Sequence, residues 1–192
     1  MNKTTLLLFL GTPLLLTSCI PAAFVGGAAA TGVVAGDTRS VDTIASDHDI
    51  NYKIEAQFVR DPVLKAKYNN ISSTTFNHVV LLTGQVRDED AKNQAEEIAR
   101  KTPSVKKVYN QIEVSHRESA LSESNDSWIT TKVKTAMVGE KGLKSSQLKV
   151  ITENGTVYLM GITTKEQGDL AAQATSKVQG VNKVVKLFEY SE

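Results

Sequence analysis

The chain has 192 residues, with 22 Lys+Arg against 21 Asp+Glu and a formal net charge of +1. That length holds one ordinary domain or two small ones. The near balance of charge argues against a nucleic-acid binder, which carries a basic excess, so any preference for anions must be local.

Lys3 opens a short positive segment, and Leu6 to Leu16 is an apolar run of about eleven residues. Such a run is short for a bilayer span and right for the core of a signal peptide. Leu16-Thr17-Ser18-Cys19 follows and resembles a bacterial lipobox, an aliphatic residue and two small residues before a cysteine. The resemblance implies that residues 1–18 are removed. It also implies that Cys19 takes a diacylglyceryl group on sulfur and an acyl chain, such as palmitate, on its new amino group. The alternative is an ordinary signal peptide with an incidental cysteine. Cys19 is the only cysteine, so no internal disulfide forms. Two lipid chains anchor a protein stably, and three hold it more firmly still. Ile20 rather than Asp follows the cysteine, which by the sorting convention of enteric-type bacteria implies the outer membrane. No other apolar run is long enough to span a bilayer.

Pro21 to Gly36 is rich in alanine and glycine and has no periodicity that would build a core; Asp37-Thr38-Arg39-Ser40 after it is polar. Residues 19–46 therefore read as a lipidated cysteine and a flexible tether with an r.m.s. span of roughly 30 Å. An interfacial helix over Ala22 to Ala35 is the alternative, and its glycines argue against it.

The remainder is a repeat. Ile50-Asn51-Tyr52-Lys53-Ile54 aligns with Ile129-Thr130-Thr131-Lys132-Val133 at an offset of 79. Val79 to Gly84 aligns with Thr156 to Gly161 at 77, and Val105-Lys106-Lys107-Val108 with Val181-Asn182-Lys183-Val184 at 76. Each unit, 47–116 and 117–192, reads α-β-β-α-β. First helices are expected near Asp49 to Arg60 and Ser127 to Val138, with Asn125, Asp126 or Ser127 as the cap of the second. Ile129, Val133, Ala136 and Met137 make its apolar stripe. Strands follow at Ile71 to Phe76 and Leu148 to Thr152, and Asn154-Gly155 is a strong hairpin turn. The next strands are Val79 to Val86 and Thr156 to Ile162. Second helices cover Asp88 to Lys101 and Lys165 to Val178, and last strands hold Val105 to Val114 and Val181 to Tyr190. The hairpin is antiparallel and the β-α-β crossover parallel. The fold class is α/β (α+β), a three-stranded mixed sheet in each unit with two helices on one face.

The glycine near the end of the second strand (Gly84, Gly161), the polar helix start after it and the V-x-x-V strand together resemble the BON domain of bacterial osmotically induced and nodulation proteins. Two such domains behind a lipobox and the Asp37-x-Arg39-Ser40 string resemble the dual-BON outer-membrane lipoproteins of Gram-negative bacteria. The resemblance implies an envelope-integrity role, support of outer-membrane protein assembly, and enrichment at the division site. It also implies that anionic phospholipid of the phosphatidylglycerol type is bound by the first helix of the second domain. The site carried over is Glu123, Ser124, Asn125, Trp128, Ile129, Lys132, Val133 and Lys134.

The repeat supplies an internal control for that site. Where the second unit has Trp128 and Lys134, the first has Asp49 and Glu55, while Lys132 and Lys53 match. The only tryptophan points away from the apolar stripe, beside lysine. Each basic residue near an anionic surface contributes about 1 kcal/mol, and acids oppose it by a similar amount. Glu123 fits this electrostatic picture poorly, unless it lies beside the amides of the first turn. The competing reading puts Trp128 in the interface between the two domains or in a protein partner's pocket. A solvated face is the plain reading for either lysine, and Ile129 and Val133 read as core. Gly84 and Gly161 read as strand ends or points of close packing, without a ligand role. His48, His78 and His116 sit in expected loops without metal-ligand spacing, and no nucleophile or phosphate-loop string occurs. An enzyme, a cofactor and a metal are therefore not expected.

Overall fold

The computed structural model describes residues 37, 39–66, 68–115 and 122–191, with nothing given for the side chains of 122–124. The expected signal peptide, Cys19, most of the expected tether and His116 lie outside these residues. The described residues belong to one compact unit. The first domain comprises α1 (Val41–Arg60), β1 (Asn70–Phe76), β2 (Val79–Val86), α2 (Glu89–Lys101), β3 (Lys107–Asn110) and β4 (Glu113–Val114). The second comprises α3 (Ser122–Gly139), β5 (Leu148–Glu153), β6 (Thr156–Thr163), α4 (Lys165–Ser176) and β7 (Lys183–Tyr190), with a short 3-10 turn before β5. In each sheet the hairpin pair is antiparallel and the crossover pair parallel, in the orders β1-β2-β3 and β5-β6-β7.

Alternation along the central strands explains how the domains associate. Val80, Leu82 and Val86 of β2 pack under α1 and α2 with Ile50, Ile54 and Ala95. Val157 and Leu159 of β6 pack under α3 and α4 with Ile129, Val133 and Ala171. The opposite faces meet each other, with Phe76, Val79 and Leu81 against Tyr158, Met160 and Leu187. All eight residues of β2 are buried, as expected of a strand covered on both faces. The result is four layers, helices outside and two sheets inside. Asn77 Nδ2 donates across the junction to both Glu189 carboxylate oxygens (3.1 and 3.0 Å).

Tyr158 lies in that sheet-to-sheet layer, and its phenol is pushed up to about 12, first by burial and then by the Glu113 and Glu153 carboxylates. The fold thus favours the protonated phenol over the unfolded value of about 10. That contribution to stability is intact below pH about 10 and is lost as pH rises through about 12. Ultraviolet titration of phenolate is expected to show one late component among the five tyrosines, absent in Tyr158→Phe.

Several boundaries differ from the sequence reading. The first helix starts at Val41, so residues 41–46 of the expected tether are helical, with Ser40 capping through Thr43 N–H (3.1 Å). Arg39 fastens that start: it pairs with Asp37 and Asp47 (both 2.6 Å) and stacks on Phe76 at 4.0 Å. His48 is consequently on a helix and not in a loop. The glycines do not end their strands, since β2 and β6 run two residues further. The last strand of the first domain divides around Gln111–Ile112. Gly84 opposite this break has φ +113, whereas Gly161 has no such angle and β7 pairs past it without interruption.

Candidate functional site

α3 begins a turn earlier than expected, at Ser122, so Asp126 lies inside the helix. Its carboxylate does not cap the helix. It is 7% exposed, and accepts from the backbone N–H of Asn154 (2.7 Å) and Gly155 (2.9 Å) in the β5–β6 turn. Both turn residues have positive φ, 49° and 71°, which aligns two successive amides on one acceptor. Asp47 of α1 does the same for Asn77 (2.7 Å) and His78 (2.8 Å), also at positive φ. The first helix of each domain is thus fastened to its hairpin by one buried carboxylate. The pairing was legible in the sequence, since Asp47 and Asp126 share the 79-residue offset, but a polar residue near a helix start reads first as a cap.

With Asp126 turned inward, the register of α3 follows. Ile129, Val133 and Met137 are fully buried, so Ile129 and Val133 hold the helix in place and do not face a ligand. Asn125, Trp128 and Lys134 are exposed and Lys132 is half-buried. Glu123 and Ser124 belong to the first turn, and their side chains lie outside the described residues. Trp128 is 62% exposed on the outer layer. The domain interface is made by sheet faces, which removes the reading that placed this ring between the domains. The Lys132 ammonium lies 5.9 Å from the ring centroid and donates to Gln179 O (2.5 Å) in the α4–β7 loop. It therefore has both a fixed position and an uncancelled charge. Lys134 is on the other flank of the exposed face, so the two lysines bracket it.

The first domain shows what this surface looks like when its charge is spent. Lys53 is paired with Asp49 (2.5 Å). Glu55, at the position of Lys134, accepts the Ser73 N–H of edge strand β1 (2.6 Å), covering an edge that invites pairing. Among the described residues no ion pair engages Lys132 or Lys134. The helix offers an amphipathic ring and two cations on a solvent-facing surface. Among the described residues no helix is long and apolar enough to cross a membrane.

The BON domain family matches residues 46–116 and 125–192. The chain is 38% identical to the outer membrane lipoprotein DolP of Haemophilus influenzae over 185 residues, 96% of this chain and 95% of that one. It is 34% identical to a 21 kDa hemolysin of Actinobacillus pleuropneumoniae, covering 80% of this chain and 79% of that protein. To the osmotically-inducible protein Y of Escherichia coli it is 26% identical, over 76% and 73% of the two chains. With both halves matched and the first of these similarities running nearly end to end, the chain belongs to the BON-domain family as a two-domain protein of the DolP type.

Proposed function

We propose that the protein is an outer-membrane lipoprotein, anchored through Cys19 and facing the periplasm, that docks on anionic phospholipid through α3. The observation that carries this reading is Trp128, exposed beside Lys132 and Lys134 on the second domain's helix, where the first domain has Asp49 and Glu55. The ring suits the headgroup layer and the lysines suit its charge. The lipid chains keep the body near the membrane, so a weak helix contact becomes effectively intramolecular. Enrichment where such lipid accumulates, including the division site, follows from the same preference; a role in envelope integrity and support of outer-membrane protein assembly rests on the likeness to the dual-BON lipoproteins alone. The similarity to a DolP lipoprotein supports the location.

The test is Trp128 emission during titration with vesicles. A blue shift is expected with phosphatidylglycerol and not with a zwitterionic lipid. Lys132→Gln/Lys134→Gln is expected to weaken partition roughly thirtyfold, for the loss of about 2 kcal/mol, and added salt acts in the same direction. Glutamine at 132 keeps a donor for Gln179 O, so the loop is retained. No shift with either vesicle in the folded protein overturns the reading and leaves a protein partner for the same ring.

A further inference from the structure

One flank of α3 is joined to the loop after α4, residues 177–182. Lys132 Nζ donates to Gln179 O (2.5 Å). Gly180, at φ +100, passes so close to α3 that a Cβ there would meet Ile129 Cγ1 at 3.1 Å and Lys132 Nζ at 3.8 Å. The loop therefore continues the surface that carries Trp128. It lies on the flank of Lys132, whose ammonium is 5.9 Å from the ring centroid. Lys177 is the C-cap of α4 and opens this loop, two residues before Gln179, with its side chain exposed.

The repeat indicates where Lys177 stands. At the offset of 76 it matches Lys101, and Gln173 matches Glu97. Glu97 and Lys101 line the groove between α1 and α2, with Gln57 and Arg60 of α1, and they pair with each other one turn apart. Gln173 and Lys177 accordingly border the groove between α3 and α4. Both lysines suit the negative end of their helices, but only Lys101 also has a carboxylate. Glutamine at 173 leaves Lys177 without that neighbour, and among the described residues no ion pair engages it.

The acids of α3 and α4 do not cancel this charge. Asp126 is buried on two turn amides, and Asp169 pairs with Lys186 (2.9 Å). Glu140 and Glu166 stand at the other end of the groove, where Gln167 binds Gly142 O and Lys144 N–H. The end of the groove beside Trp128 is thus locally basic in a chain whose net charge is only +1.

We propose that Lys177 is a further contact for the anionic headgroup layer, so that the docking surface is α3 together with the α4–β7 loop. Trp128 and Lys132 lie at its centre and Lys177 at its edge. This inference rests on the lipid reading above and sharpens it: the contact spreads from Trp128 across the groove toward α4. An anionic lipid surface is the occupant because the loop adds a cation to a face already carrying an amphipathic ring and two lysines, where opposite charge is attracted.

The full chain is mixed with vesicles of zwitterionic lipid in which the phosphatidylglycerol fraction rises from zero, and Trp128 emission is read at each composition. Lys177→Gln is expected to lower the docking constant about fivefold, the effect of one basic residue near an anionic surface. Gln173→Glu gives Lys177 the partner that Lys101 has, and is expected to lower the constant at least as far while keeping every lysine. Lys165→Gln, at the opposite end of α4, is expected to leave it unchanged. The side chains at 165, 173 and 177 are all exposed, and melts matching the parent's keep folding out of the comparison. A blue shift in the parent that Lys177→Gln leaves intact overturns this inference and leaves the α3 reading standing. Equal losses in Lys177→Gln and Lys165→Gln also overturn it, because net charge and not place would then decide. No shift in the parent removes the α3 reading and this inference with it.

Discussion

Gly84→Ala is expected to unfold the first domain. The residue sits inside β2 at φ +113, and a Cβ there would lie 2.0 Å from Asn70 O and 2.9 Å from Asn70 C. Both are backbone atoms of the paired strand β1, so relief requires the strands to separate. The left-handed angle alone costs about 1–3 kcal/mol, and the clash adds to it, taking the total past the roughly 4–5 kcal/mol that marks an exceptional substitution. A domain of this size has little more than that to lose. Gly161→Ala gives the contrast. Its Cβ would meet Leu148 Cδ2 at 2.6 Å and Gln147 O at 2.9 Å without a left-handed angle; the leucine end can rotate away, and the backbone carbonyl must give slightly. About 1–3 kcal/mol is expected there. Urea unfolding followed by circular dichroism separates the two. Equal losses at the two glycines would show that the close approach of β1 to Gly84 is not what requires glycine.

Asp126→Ala is the second large effect. The substitution removes one carboxylate and orphans two amides, Asn154 N–H and Gly155 N–H, the second in a buried contact. Charge-assisted hydrogen bonds contribute about 1.5–3 kcal/mol each, so a loss of roughly 3–5 kcal/mol is expected. For a chain of this length that corresponds to a fall in Tm of about 6–20 °C. Asp47→Ala should cost more, because Arg39 loses one of its two carboxylate partners as well as the hairpin losing its acceptor. Asp126→Asn keeps an acceptor and should recover about half the loss. A melt of Asp126→Ala within about 1 °C of the parent would mean the turn amides find other partners.

Both predictions concern features that the repeat contained but did not rank. Aligning the copies placed the glycines, the hairpins and the helices, and α-β-β-α-β order followed from periodicity and turn chemistry. These are local properties: a strand's alternation, a helix's stripe and an Asn-Gly turn are decided over a few residues. The change from Asp49 and Glu55 to Trp128 and Lys134 was equally visible, because it is a matter of residue identity. The inward turn of Ile129 and Val133 was readable from spacing, and the fixed place of Lys132 at Gln179 O was not.

What only the tertiary structure decided involves partners far apart in sequence. Leu81 and Tyr158 reveal nothing locally about a shared layer, since the outer face of either sheet would read the same against solvent as against its twin. Residues 41–46 of the expected tether are helical because Arg39 finds Asp47 eight residues on and the Phe76 ring on another element. Gly84 and Gly161 are the same letter in the same place of the repeat, yet one is required by its backbone angle and the backbone of β1, the other by the Leu148 side chain and the Gln147 carbonyl. Composition and periodicity determine which elements form and which face of each is apolar. Where a carboxylate, an arginine or a sheet face finds its complement depends on chain folding over tens of residues, and those contacts set the domain junction, the helix start and the exposure of Trp128.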